Sequence, residues 1–184
     1  GSETALRGGF TDVCLLPNTQ PPVDNRSLVE SLKAKSKGVN LHPLGCISKN
    51  AEGKSLAEMS DMHLAGAPAF TDGYQPVQHA GLLMKALLYV KSFNGVLIQI
   101  PDEHTLTRYG HMNESSVSTQ AGMPGMPGMA EWILIQRDLE LLRYTKSRLH
   151  ITGLSTKRSV ELIRDAKAEG LSVTCSVSPY HLLY

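Results

Sequence analysis

The 184 residues carry 18 Lys and Arg against 17 Asp and Glu, a net charge of +1 with no basic or acidic block, which gives no electrostatic support for a nucleic-acid or membrane-surface partner. With 41% apolar and 19% charged residues the composition is globular, and the length suits a single domain over residues 1–184. No apolar run approaches the roughly 18 residues that a bilayer crossing needs, and Gly1-Ser-Glu-Thr lacks a signal-peptide pattern, so a soluble protein is expected. Cys14, Cys46 and Cys175 are odd in number, widely separated and each inside an apolar run. They read as buried thiols in a reducing cytoplasm rather than as disulfide or metal partners.

In chain order, Ala5 to Pro22 reads as a buried strand at about 11–16, broken before by Gly8 and Gly9 and stopped by Pro17, so that Asn18 and Thr19 project at its carboxyl end. In α/β proteins that end is where ligands bind. Asn18 also fits the plainer role of a turn former. A helix follows at about 25–37, capped by Asp24 or Asn25, with Leu28, Val29 and Leu32 on its apolar face. A strand at 40–46, a helix near 54–64 and a short strand at 67–70 come next. The clearest helix is 78–93, where Leu82, Leu83, Ala86, Leu87 and Val90 share one face. Then come a strand at 95–100, a long helix at about 128–145, a strand at 149–152, a helix at 156–168 and a last strand at 171–177.

Six strands separated by helical segments imply right-handed crossovers and a parallel sheet, hence an α/β protein. No Gly-x-Gly-x-x-Gly follows the first strand and no phosphate-binding Gly-x-x-x-x-Gly-Lys-Ser/Thr occurs, which argues for a barrel over a nucleotide-binding doubly wound sheet. The connection from Pro101 to about Met129 is too long for an ordinary loop. Its Met/Pro/Gly repeat, Gly122 to Met129, is expected to form an ordered cap with buried methionines, and Ser115 to Ala121 to carry a short helix.

The chain resembles the dihydroorotases, cyclic amidohydrolases of the long bacterial form, over essentially its whole length. The likeness is carried by Gly8-Gly-Phe-Thr with Pro17-Asn-Thr-Gln-Pro-Pro22, Pro76-Val with Gly81-Leu, Met112-Asn-Glu, Gly122 to Glu131 with Arg137-Asp138, Ser155-Thr with Ser159-Val-Glu-Leu-Ile163, and Pro179-Tyr-His-Leu-Leu183. The resemblance implies a TIM (β/α)8 barrel of the metal-dependent hydrolase type, of which this chain is an incomplete portion covering strands two to seven. It also implies a cytoplasmic role in pyrimidine synthesis, the interconversion of N-carbamoyl-aspartate and dihydroorotate. In such enzymes histidines at strand ends hold zinc, which activates a water.

At two of the family's ligand positions the resemblance places Gln99, a poor zinc donor, and Gly153, which has no side chain. His150 lies on the opposite strand face from Gly153 and reads as structural. Asp72, in Thr71-Asp-Gly-Tyr74, is the candidate catalytic, metal or water ligand, with a turn or capping aspartate as its alternative. Asn18 corresponds to a substrate-binding asparagine. His42, His63, His79, His104 and His111 show no ligand spacing, and His181 is assigned to strand-end packing. Zinc, expected from the family, is therefore expected to be absent or weak here. The leading expectation is a catalytically impaired member acting as a structural partner, as a homo-oligomer or with the pathway's carbamoyltransferase. The alternatives are an active dihydroorotase using ligands outside this segment, and a barrel that binds a small dihydroorotate-like molecule.

Overall fold

A computed structural model of the chain describes residues 1–36 and 38–180, so the assignment of His181 lies outside the described residues. In chain order the elements are α1 (Ser2–Arg7), β1 (Asp12–Leu15), α2 (Arg26–Ala34), β2 (Asn40–Pro43), α3 (Met59–Leu64), α4 (Ala80–Lys91), β3 (Leu97–Gln99), α5 (His104–Thr107), β4 (Met112–Asn113), α6 (Ser116–Gln120), β5 (Gly125–Met126), α7 (Met129–Thr145), β6 (Leu149–Thr152), α8 (Lys157–Ala168) and β7 (Val173–Ser176).

The wall is parallel throughout. β1 pairs with β2, Asp12 opposite Asn40 and Leu15 opposite Pro43, while β3, β6 and β7 make a second sheet in that order. Phe70 joins the two sheets by parallel bridges to Gly45 on one side and Leu97 on the other. Backbone hydrogen bonds carry the join: Thr71 donates to the Gly45 carbonyl at 2.9 Å and Phe70 to that of Val96 at 3.0 Å. The expected strand at 67–70 is thus reduced to one bridging residue, as Pro68 has no N–H to give a ladder. The strands expected at 11–16, 40–46, 95–100, 149–152 and 171–177 stand beside it in sequence order.

Helices cover one face of this wall. α2 starts where the Asn25 side chain accepts from Leu28 N–H at 3.2 Å, and α8 where Thr156 accepts from Ser159 N–H at 3.2 Å. α4 and α7 lay Leu83, Ala86, Leu87, Val90, Ile135, Leu139 and Leu142 against Leu97, Leu149 and Ile151 in one buried cluster. Leu87 is fully buried there, so Leu87→Ala is expected to lower unfolding stability by about 3 kcal/mol, read from the urea midpoint.

Several expectations are corrected. Residues 2–7 form a helix tied by an Arg7–Glu3 pair at 2.7 Å, and β1 alternates exposed and half-buried residues instead of being buried. It has a neighbour on one side only among the described residues. Cys14 on β1 is exposed and Cys175, on the outermost strand β7 of the other sheet, is half-buried, leaving only Cys46 as a buried thiol. Burial pushes the Cys46 thiol up to about 12, which leaves it unreactive. The helix near 54–64 starts only at Met59, because Asn50, Ala51 and Gly53 take positive φ and Ser48 bridges to Leu56.

The cap is ordered by its backbone. β4 pairs in parallel with β5, His111 N–H donates to Pro124 O at 3.0 Å, and Ser115 and Ser118 form a capping box on α6. Close approach needs glycine: a Cβ on Gly125 would lie 2.7 Å from Glu114 Cα. The methionines are not buried as expected. Met123 is 52% and Met129 42% exposed, because the ladder and box hold the segment without them.

Candidate functional site

Asn18, Asp72, Gln99, Asp102, Thr152 and Gly153 stand at or just beyond the carboxyl ends of the strands, and of these Asn18 and Asp72 are joined directly. Asp72 is 1% exposed, and its Oδ1 accepts the Ile47 and Ser48 N–H groups at 2.8 and 3.0 Å while Oδ2 accepts the Ser48 hydroxyl at 2.5 Å. Burial raises its pKa, and the bonds from Ser48 and Ile47 pull it back down. Both oxygens are thus engaged in tying the turn after Phe70 to the segment after β2. Asn18, exposed at the end of β1, donates through Nδ2 to the Asp72 carbonyl at 3.1 Å. Its amide lies against Gly73, where a Cβ would meet Asn18 Oδ1 at 1.7 Å, and Gly73 has φ of 63°.

Gln99 shares the buried face of β3 with Leu97. Its side-chain oxygen accepts from Val77 N–H at 3.3 Å, and its Nε2 has no partner among the described residues. Gly153 has φ of 80° and open space around the position of a Cβ. On the other face of β6, His150 meets Thr174 through Nδ1 at 2.8 Å and Ser176 through Nε2 at 3.0 Å, and Ser176 donates to Thr152 at 2.8 Å. Burial lowers the His150 pKa, so this imidazole is a neutral member of a hydroxyl chain.

Asp102 accepts the Thr107 hydroxyl at 2.7 Å and lies 3.6 Å from His104. With Gln75, Arg108, Tyr109 and Met126 these side chains line an open groove of about 710 Å³. Gln78 braces the groove, its side chain donating to the Asp102 carbonyl at 2.9 Å and accepting from His104 N–H at 3.2 Å.

Three charged side chains that sequence reasoning did not assign hold this end together. Arg137 donates to the Gln78 and Val77 carbonyls at 2.6 and 2.9 Å and pairs with Asp138 at 2.7 Å. Asp138 is 1% exposed, and burial pushes its carboxyl up to about 6 against the opposing pull of Arg137. Glu131 accepts the N–H groups and hydroxyls of both Ser155 and Thr156, fixing the start of α8. A signal existed: Glu131 and Asp138 fall on the apolar stripe that Leu134, Ile135, Leu139 and Leu142 define on α7, where a carboxylate must find partners.

The side chains present do not fit a zinc site at these positions. A structural or catalytic zinc needs three or four strong donors converging on one point. Here the Asp72 oxygens are already hydrogen-bonded, the Gln99 oxygen faces a backbone N–H and Gly153 offers nothing. Among the described residues no group of three or more His, Cys, Asp or Glu side chains is placed to hold a metal ion.

A family profile described as Dihydro-orotase-like matches residues 1–159. This chain belongs to the dihydro-orotase-like family. Among curated relatives it is 45% identical over 183 residues to a dihydroorotase of Pelotomaculum thermopropionicum, covering 98% of this chain and 43% of that protein. A dihydroorotase of Acetivibrio thermocellus is 41% identical over 186 residues, covering 100% of this chain and 44% of the relative. The chain thus spans under half the length of these family members. Among solved structures, an L-hydantoinase (dihydropyrimidinase) from Arthrobacter aurescens superposes with a TM-score of 0.77 at 24% identity, over 100% of this chain and 43% of that one. A D-hydantoinase gives 0.74 at 13% identity, over 100% and 42%. At such identities the likeness carries the fold alone. No described helix is long and apolar enough to cross a membrane.

Proposed function

We propose that this chain is a portion of a (β/α)8 barrel of the dihydroorotase type, staves two to seven, that lacks the side chains to hold zinc and serves as a non-catalytic partner in cytoplasmic pyrimidine synthesis. It would sit against copies of itself or against the pathway's carbamoyltransferase. The observation that carries this reading is at Gln99 and Gly153, the two positions that the family resemblance gives to zinc ligands. One holds a neutral amide turned to Val77 N–H, the other no side chain. Loss of two ligands is more than outer hydrogen bonding restores.

The test is metal content and turnover of the purified chain. Zinc after dialysis is expected to stay well below one ion per chain, with dihydroorotate opened no faster than without protein. Tightly bound zinc together with ring opening would sink the proposal. Gln99→His with Gly153→His is not expected to rescue the chain, and Gly153→His adds about 1 kcal/mol of backbone strain at φ 80° even though its side chain has room.

A second reading, an active zinc-dependent dihydroorotase whose ligands lie outside these residues, is favoured by the 45% identity to a protein of that name and by the 43% of its length that is covered. Assaying the longest natural polypeptide that contains this sequence separates the two: zinc-dependent turnover there supports the second reading and removes the first.

A further inference from the structure

At the end of the wall where the strands finish, three cavities adjoin across the loops that follow β2, Phe70 and β3. The groove of about 710 Å³ beside the cap shares Gln75 and His104 with a cavity of about 380 Å³. That cavity shares Gly53, Lys54 and His79 with a third, of about 350 Å³, at the start of α4. Together they make one open trough, which suits an extended chain better than a single small molecule, whose sites enclose most of its surface. The trough is braced before anything binds: Gln78 ties to Asp102 and His104, and Arg137 holds the Val77 and Gln78 carbonyls. A surface ordered in advance binds at a smaller entropic cost.

Charge along the trough is uneven. Its two carboxylates are engaged, Glu52 with Lys54 at 3.0 Å and Asp102 with the Thr107 hydroxyl at 2.7 Å and His104 at 3.6 Å. Lys85 and Arg108 line it as well, and no described carboxylate lies within ion-pair distance of either. His79 accepts from Leu82 N–H through Nδ1 at 3.2 Å, which leaves Nε2 as its donor. Beside these lie half-buried Met126 and Tyr109, which is 75% exposed, with the Arg108 guanidinium 5.5 Å over the Tyr109 ring. Accessible tyrosine, arginine and methionine with no free carboxylate among them match the composition of interface cores.

We propose that this trough docks an extended acidic segment of a partner protein, its carboxylates meeting Lys85 and Arg108 and an apolar side chain resting on Tyr109 and Met126. A nucleic acid fits less well, because a net charge of +1 with no basic block leaves few cations for its many phosphates. Neither Gln99 nor Gly153 lines the trough, so the docking is independent of whether the barrel holds zinc.

The test is fluorescence anisotropy of a fluorescein-labelled, capped peptide that alternates aspartate and leucine, titrated with the whole chain. A lysine–leucine peptide, an aspartate–serine peptide and oligouridylate are further arms. Saturable binding of the aspartate–leucine peptide is expected. Lys85→Ala with Arg108→Ala should weaken it about tenfold and Tyr109→Ala about fivefold. All three side chains are exposed, so the urea midpoint should not move. Absence of saturable binding overturns the site, as does affinity unchanged in the double variant. Equal binding of the lysine–leucine peptide overturns the acidic assignment, and equal binding of the aspartate–serine peptide overturns the apolar contact. Oligouridylate bound as tightly as the peptide would make the trough a nucleic-acid surface and overturn the proposal.

Discussion

Asp72→Asn is expected to destabilise the chain by about 3 kcal/mol, read from urea denaturation, because the carboxylate it replaces is a buried acceptor with three donors aimed at it. An amide has one oxygen. If that oxygen keeps the Ile47 and Ser48 N–H groups, its NH2 faces the Ser48 hydroxyl, whose own oxygen already accepts Gly53 N–H at 2.8 Å. The hydroxyl proton is then displaced and one buried polar group goes unpaired. The loss should appear as a slackened turn after Phe70, with faster amide exchange at Ile47, Ser48 and Gly73. A metal or water ligand would behave oppositely, with the fold kept and any turnover lost. Full retention of stability in Asp72→Asn would therefore return Asp72 to the catalytic role that the sequence offered.

Arg137→Ala is expected to cost more, about 4 kcal/mol, since it strips the partner from a buried carboxylate and the donors from two carbonyls at once. The same pair sets a pH dependence. The Asp138 carboxyl stands near 6 in the folded chain against a reference of 3.8, so the folded state holds its proton more tightly than the unfolded state does. Its contribution is fully present below the unfolded value and is lost as pH rises through about 6. Asp72, also raised by burial, acts in the same direction. Between pH 7 and pH 4 Asp138 is therefore expected to add up to about 3 kcal/mol, against the opposite contribution of His150, whose burial-lowered pKa costs stability as pH falls. Asp138→Asn should flatten that slope. Urea midpoints across the range decide it, and a slope unchanged in the variant would show that Asp138 does not titrate there.

What the sequence disclosed depended on how local each signal is. The apolar stripe Leu82, Leu83, Ala86, Leu87, Val90 is written within one helix, and α4 follows it. The strand at 149–152 was placed to the residue for a similar reason: its alternation of buried and half-buried residues is a property of four neighbours. Long-range effects were hidden. Nothing near Cys14 announces that β1 has a neighbour on one side only among the described residues, and nothing near Met123 announces that a backbone ladder between β4 and β5 would do the work assigned to methionine. At the site, sequence placed Asn18 at the end of the first strand and Asp72 at the end of the third, and the fold brings them together across β2 through a side-chain to backbone bond. The side-chain directions were not legible, as they depend on which N–H groups the fold leaves open after β2.

The contact between Asn18 and Gly73 also limits how this sequence can change over time. A methyl group at position 73 would coincide with the asparagine amide, and no rotation of a β-carbon avoids that. A side chain at 73 forces the exposed asparagine to swing away and give up its bond to Asp72, on top of the strain of φ 63°. Shortening position 18 first removes the clash and leaves only the strain. A library that randomises Gly73 alone should favour glycine, with asparagine and aspartate next, among folded clones, and one that randomises both positions should recover more side chains at 73 together with small residues at 18.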